Sequence, residues 1–331
     1  MYTDFYELTG RPFQLTPDPH FYFDTETHRK AMAYLSYGLS QGEGFVVITG
    51  DVGTGKTTLV GHVMETVDRS KLVVAKIVTT QLDADSMVKM VATAFAVPVD
   101  NADKVSVLNR LEAFLRAQYR EGRRVLLIVD EAQNLPIAAL EELRMLSNFQ
   151  EGHQALLQTV LLGQPEFRDN LNSSPVLEQL RQRIIASHHL EPMSREELPE
   201  YVAHRLTLCG WNGRPTFTQD AFDTMYDYSG GVPRRLNNLA SRVLLFGALE
   251  QRDQIDGAMV AEVVEDLRDD SFTGPAPAPA PLLVGGDGTV NDDLARRLAA
   301  LEAGSGSHGK ALRQIVDLLD ELLAADPAPA E

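Results

Sequence analysis

The stretch "FVVITGDVGTGKTT", residues 45–58, decides how this chain folds. A short apolar run leads into G-x-x-x-x-G-K-[ST], and a helical pattern follows, which is the strand–turn–helix context a phosphate-cradling loop requires. Gly50, Gly53 and Gly55 permit a tight turn and close backbone approach. Past Asp51, the amides from Val52 through Thr54 to Thr58 point at phosphate oxygens from a helix N-terminus. Lys56 brings a point charge to the β- and γ-phosphates, and the Thr57 hydroxyl ligates Mg²⁺. The ligand implied is ATP with Mg²⁺.

Outward from the loop, "RVLLIVDEAQ" (124–133) is a buried strand ending in Asp130 and Glu131. Adjacent carboxylates at such a strand end are costly to bury without a metal and a task. Asp130 is expected to hold Mg²⁺, largely through water, and Glu131 to polarise an attacking water, which favours hydrolysis over a slow nucleotide switch. The strand 157–163 ends at Gln164, whose neutral amide can reach both the γ-phosphate and that water. In "SGGVPRRLNNLA" (229–240) a glycine–proline turn opens a helix, and Arg234 projects from its start toward the phosphates. Arg235 reads as a surface arginine.

Apolar runs at 45–49, 72–78, 125–130, 157–163 and 186–190 alternate with helical patterns at 84–96, 104–121 and 136–149. Such alternation predicts an α/β fold with a five-stranded parallel sheet covered on both faces. From about 194 the strands stop, and helices at 194–208, 218–228, 233–249 and 257–268 predict a small all-α lid. Ser194 and Glu197 have the spacing of a capping box, and Pro136 suits a first helical turn. The domains expected are an N-terminal segment and first helix (1–40), the P-loop core (41–192), the lid (193–270), a Pro/Ala/Gly linker (271–291) and a tail (292–331). In the tail, Leu312, Ile315, Val316, Leu319, Leu322 and Leu323 form an apolar stripe over a helix near 310–325.

The 331 residues carry 30 Lys plus Arg against 47 Asp plus Glu, a net charge of −17, which repels nucleic acid and anionic membranes at long range. The single cysteine, Cys209, forms no internal disulfide and anchors no zinc cluster alone. No signal-peptide pattern and no uninterrupted membrane-length apolar run occurs, so a cytoplasmic protein without direct membrane insertion is expected. His188 and His189 are neighbours in a strand and point to opposite faces, so a structural role is expected of both. Trp211 is expected to pack at a turn of the lid.

The order of phosphate loop, Asp-Glu strand end, polar strand end, arginine pair and Gly-x-Pro-Arg resembles an AAA+ ATPase. With "FYELTGRPFQLTPDPHFYF" (5–23), "HRKAMAYLSYGL" (28–39), "DEAQNL" and "LLGQPEF", residues 1 to about 270 resemble the ExeA/GspA family of secretion-type ATPases. They are similar more closely to the ATPases encoded with exosortase and exopolysaccharide loci. The resemblance implies that the segment around 17–35, with His28, lies against the adenine.

It also implies a role for "QLRQRI" (179–184), which holds the place of an arginine acting in the neighbouring subunit's site. At least one of Arg181 and Arg183 is expected to act in trans, in a ring or filament of six. Relatives in the ExeA group often carry a transmembrane helix and a cell-wall-binding domain, neither of which is read here, so an envelope role is expected to run through an inner-membrane or cytoplasmic partner, the 310–325 helix either docking on that partner, pairing with a copy of itself or folding back on its own domain. The alternative is a DNA-dependent ATPase of the transposition type, against which the acidic balance and the lack of a basic stripe weigh.

Overall fold

Five parallel strands order the molecule: β1 (Phe45–Gly50), β2 (Leu72–Val78), β3 (Arg124–Asp130), β6 (Gln158–Gly163) and β7 (Ile184–Leu190), arranged β2-β3-β6-β1-β7. The structure, a computed structural model, describes residues 2–78, 84–100 and 102–271. The linker and tail helices expected from the sequence lie outside them.

Strand β1 shows why the apolar runs are continuous rather than alternating. Phe45 and Val47 enter one buried cluster with β3, α4 (Ala84–Ala94), α5 (Lys104–Arg120) and α6 (Ile137–Leu146). Val46 and Ile48 enter another on the opposite face, with α2 (Glu26–Gln41) and α3 (Lys56–Thr66). Both faces are therefore covered, as parallel sheets require. Because β1 lies between β6 and β7 while its chain crosses to β2, a crevice opens at the carboxyl ends of the strands. The phosphate loop, Asp130 and Gln164 all sit on that edge, at the ends of β1, β3 and β6.

Helix ends shift by a few residues from expectation. α4 stops at Ala94 because the chain turns through Ala96 at φ 56°, and Pro136 is the cap of α6 rather than its first residue. A short hairpin of β4 (Gln150–Glu151) and β5 (Gln154–Ala155), which the sequence did not announce, precedes β6. Two short helices, α7 (Pro165–Ser173) and α8 (Glu178–Arg181), lead into β7.

The lid is built from α9 (Glu197–Leu208), α10 (Gln219–Ser229), α11 (Pro233–Leu249) and α12 (Gly257–Ser271). It is not all-α: β8 (Thr216–Phe217) pairs in parallel with β9 (Gln254–Ile255). Nor is the N-terminal segment a unit of its own. The short helix α1 (Tyr2–Phe5) leads into Tyr6, Leu8, Phe13 and Phe21, which are buried in the lid's core beside Tyr201, Leu236 and Val243. Tyr22 and α2 instead pack on the sheet layer, where a Cβ on Gly38 would stand 2.3 Å from Val46 Cγ2. The Ser194–Glu197 capping box is half formed. Glu197 accepts from the Ser194 amide at 2.9 Å, but α9 starts at Glu197, whose other oxygen takes the Glu26 amide at 2.7 Å and ties α2 to the lid.

Candidate functional site

A cavity of about 390 Å³ lies where the strand ends, the lid and the N-terminal segment meet. That is within the usual range for small-ligand sites. The phosphate loop forms its floor. Gly53 and Gly55 hold φ of 89° and 100°, open to glycine and strained for other residues. Gly50 has ordinary dihedrals but no room, since a Cβ would approach Leu190 O to 2.7 Å. Thr54 is buried and turns inward, donating to Asp51 O at 2.9 Å, so it staples the loop. Val52, Gly53, Gly55, Lys56, Thr57 and Thr58 line the cavity, with Lys56 and Thr57 opening α3.

Lys56 Nζ donates to Gly50 O at 2.6 Å and to Asp51 O at 2.8 Å. Burial lowers its pKa, opposed by Glu131, Asp130, Asp51 and Glu166. Thr57 Oγ1 donates to Asp130 Oδ2 at 3.1 Å, and Asp130 is buried. A hydroxyl and a carboxylate side by side are the hard oxygen donors that Mg²⁺ takes, and the ion fits here with phosphate and water completing its shell. Among the described residues no cluster of three or more His, Cys, Asp or Glu forms a metal cage.

Glu131 stands in the left-handed region, at φ 56° and ψ 41°. Its carboxylate accepts from Gln133 Nε2 and, at 3.4 Å, from Gln164 Nε2, while the Gln164 amide donates to Gln133 Oε1 at 3.1 Å. Two amides thus hold the carboxylate at the ends of neighbouring strands. The lid enters at Arg234, which lines the cavity and whose amide donates to Gly53 O at 3.2 Å.

His28 also lines the cavity, against the loop rather than away from it: a Cβ on Gly55 would stand 2.9 Å from His28 Nε2. Burial pushes its imidazole down to about 4, and Nδ1 faces Thr25 Oγ1 at 2.5 Å. At the far end, the buried guanidinium of Arg205 lies 4.6 Å from the Phe21 ring centroid and donates to Pro12 O and the Tyr201 hydroxyl. This end is a composite of aromatic and polar groups fit to hold a base.

Arg181 and Arg183 are not among the cavity's lining residues. Arg181 donates to Leu171 O and Asn172 O at 2.7 and 2.8 Å and pairs with Glu178 at 3.1 Å. Arg183 donates to Ser147 Oγ at 2.9 Å. His189 meets Thr49 Oγ1 at 3.0 Å, whereas His188 stacks on Tyr34, as opposite faces require. Trp211 packs on the lid core and donates to Pro215 O at 3.0 Å. Cys209 is buried, which raises its thiol pKa. Among the residues not anticipated, Lys76 and Arg205 line the cavity and Gln133 holds the Glu131 carboxylate beside it. Lys76 had a signal, a lone cation inside the apolar run "LVVAKIV".

With this geometry in place, comparisons with known proteins are informative. Residues 39–171 match an AAA domain. The chain is 36% identical over 274 residues to general secretion pathway protein A of Aeromonas hydrophila, a match covering 82% of this chain and 50% of that protein, so it spans about half the relative's length. Its fold is similar to Cdc6p of Pyrobaculum aerophilum, with a TM-score of 0.60, 16% identity, and 75% and 68% of the two chains covered. It is also similar to the Aeropyrum pernix ORC2 protein in its ADPNP–ADP complexes, at TM-score 0.55, 19% identity, and 73% and 67% coverage. Among the described residues no helix is long and apolar enough to cross a membrane. Five parallel strands, a phosphate loop and an AAA domain over residues 39–171 give this chain the P-loop AAA+ fold, and its sequence is similar to general secretion pathway protein A.

Proposed function

We propose that the chain hydrolyses ATP with Mg²⁺ at this cavity, and that turnover drives or regulates assembly of an envelope secretion system. The observation that carries the reading is convergence: the loop, Asp130, Glu131, Gln164 and Arg234, distant in sequence, surround one cavity of about 390 Å³. The loop amides and Lys56 bind the phosphates. Mg²⁺, held by Thr57 and through water by Asp130, would neutralise charge on the β- and γ-oxygens. Glu131 takes the proton of the attacking water as the new O–P bond forms at the γ-phosphorus and the bond to the β-phosphate oxygen breaks, releasing ADP. Gln164, bonded to Glu131 across the strand ends, orients that water. Arg234 couples the lid to the γ-phosphate, and the segment carrying His28 lies against the adenine.

Similarity to general secretion pathway protein A supports a secretion role at the level of the ATPase portion. An exosortase or exopolysaccharide system is the narrower form of this proposal, resting on the sequence resemblance alone. The protein would act in the cytoplasm, at the inner-membrane face through a partner, and as an oligomer whose sites are shared.

The test is steady-state turnover of the full chain with nucleotide binding measured separately. Glu131→Gln should keep ATP binding and lose at least about 100-fold in kcat, the usual span of a general base. Lys56→Ala should lose binding itself. Wild-type turnover in Glu131→Gln would overturn the assignment. Strong stimulation by duplex DNA at low salt would move the reading to the transposition-type alternative.

A further inference from the structure

One cation of the cavity is unaccounted for by the reading above. Lys76 lies on β2, in register with Ile128 of β3, two residues before Val78 meets Asp130. Its neighbours Ala75 and Ile77 turn into the core on one face, and Leu72 and Val74 pack on the other. Strand alternation sends Lys76 to the Leu72–Val74 side, at the point where that side opens into the cavity. There its Nζ lies 2.8 Å from Asp130 Oδ2, the same oxygen that takes the Thr57 hydroxyl. Lys56 is engaged elsewhere, on the carbonyls of Gly50 and Asp51. The buried carboxylate read as the metal-side ligand therefore carries a built-in ammonium partner.

The Asp130 carboxylate is buried while the Lys76 side chain is 26% exposed, so taking the ammonium away leaves a buried charge uncompensated. A divalent cation arriving at Thr57 and Asp130 meets that ammonium as a like charge on the oxygen it needs. Arriving alone, it must evict Lys76 toward solvent with no anion supplied in exchange. Arriving with a triphosphate, it brings phosphate oxygens to which a four-carbon side chain can swing.

We propose that Lys76 is a displaceable counter-ion of Asp130 that makes divalent-metal binding conditional on nucleotide. The proposal rests on the reading of Thr57 and Asp130 as the Mg²⁺ side of the site. It assigns Lys76 a positioning role: it acts on the metal through Asp130 and not on the reacting atoms.

The experiment is Mn²⁺ binding to the full chain, followed by electron paramagnetic resonance, with and without a non-hydrolysable ATP analogue. The wild type should bind Mn²⁺ weakly alone and much more tightly with the analogue. Lys76→Met should bind Mn²⁺ alone about tenfold more tightly than the wild type, since a like charge is gone. The added analogue should then tighten binding far less than it does in the wild type. Lys76→Arg keeps the charge and should keep wild-type linkage, with melting curves of both variants establishing that they fold. Unchanged or weaker Mn²⁺ binding in Lys76→Met, with folding intact, would overturn the counter-ion role while leaving the metal site standing. Failure of the wild type to bind Mn²⁺ even with the analogue would remove the metal-site reading, and this inference with it.

Discussion

Thr25 Oγ1 accepts a hydrogen bond from the His28 amide at 3.2 Å and lies 2.5 Å from His28 Nδ1. The ring's other nitrogen, Nε2, faces Gly55 and the cavity. A neutral imidazole suits this place, because burial holds its pKa at about 4 against an ordinary 6.5. Between those values the unfolded chain binds a proton that the folded chain refuses. Stability is therefore complete above about pH 6.5 and is lost as pH falls through the window toward 4, by about 3 kcal/mol from this group. His28→Gln lacks the titrating ring, so its melting temperature should fall less steeply than the wild type's between pH 6.5 and 4.5. Parallel slopes would mean that His28 is not held neutral. Several groups at this scale could be picked out because the motif spacing is dictated by chemistry, and the structure brings Gly53, Lys56, Thr57, Asp130 and Glu131 to one cavity. Gln133 could not, since a glutamine after a strand end reads as a turn residue until the fold brings it against Glu131 and Gln164. Arg205 was hidden for a similar reason: its partners are Pro12, Phe21 and Tyr201, and only packing brings the first two to α9.

Two glycine positions seat helix α11, Gly53 against the phosphate loop and Gly231 against Met193. At Gly53, φ is 89° and a Cβ would come within 2.5 Å of Arg234 Cβ, and the Arg234 amide donates to Gly53 O, so loop and lid helix meet closely here. At Gly231, just before α11, φ is 72° and a Cβ would stand 2.1 Å from Met193 O, whose residue also donates its amide to Gly231 O at 3.0 Å. Its neighbour Gly230 also has a positive φ of 59°, but nothing lies within 4 Å of its Cβ position. The pair separates strain from space. Gly230→Ala should cost about 1 kcal/mol, the left-handed penalty alone. Gly231→Ala should cost at least about 2 kcal/mol more, because a backbone carbonyl must move, and should weaken ATP binding as Arg234 shifts. Denaturant midpoints of the two variants decide it; equal costs would show that the Met193 contact yields freely. Elements followed the same rule of legibility as residues. Strands buried on both faces announce themselves as continuous apolar runs, and α11 matched its expected bounds because Pro233 starts it. The β8–β9 pair did not, since two-residue strands carry no periodicity and Thr216 and Gln254 meet only through tertiary packing. The burial of Tyr6 and Phe13 in the lid core is likewise a long-range fact that no local pattern encodes.

At the scale of the whole molecule, the cavity's cations are Lys56 on loop carbonyls, Lys76 on Asp130, Arg205 on Pro12 O and Tyr201, and Arg234, whose backbone is anchored at Gly53 while its guanidinium faces the cavity. Arg181 and Arg183 lie outside it, between α7 and β7. A guanidinium from a neighbouring copy would add the charge that a γ-phosphate needs in its transition state, worth roughly 10³–10⁵ in rate in related enzymes. The two arginines differ in their own molecule. Arg181 closes the end of α7 through Leu171 O and Asn172 O, a structural task, while Arg183 reaches only as far as a hydroxyl on Ser147. Arg183→Ala should therefore lower kcat with little change in melting temperature, and Arg181→Ala should lower the melting temperature first. If sites are shared, the wild-type rate per protomer should rise with protein concentration. Mixing the inactive Lys56→Ala chain with the inactive Arg181→Ala/Arg183→Ala chain should then restore turnover. In an equal, random mixture half the sites retain Lys56 and half of those face an intact arginine donor, so recovery should approach about a quarter of the wild-type rate for a closed head-to-tail ring. A mixture as dead as its components, at concentrations where the wild type is fully active, would confine both arginines to their own chain and make the assembled form dispensable for hydrolysis.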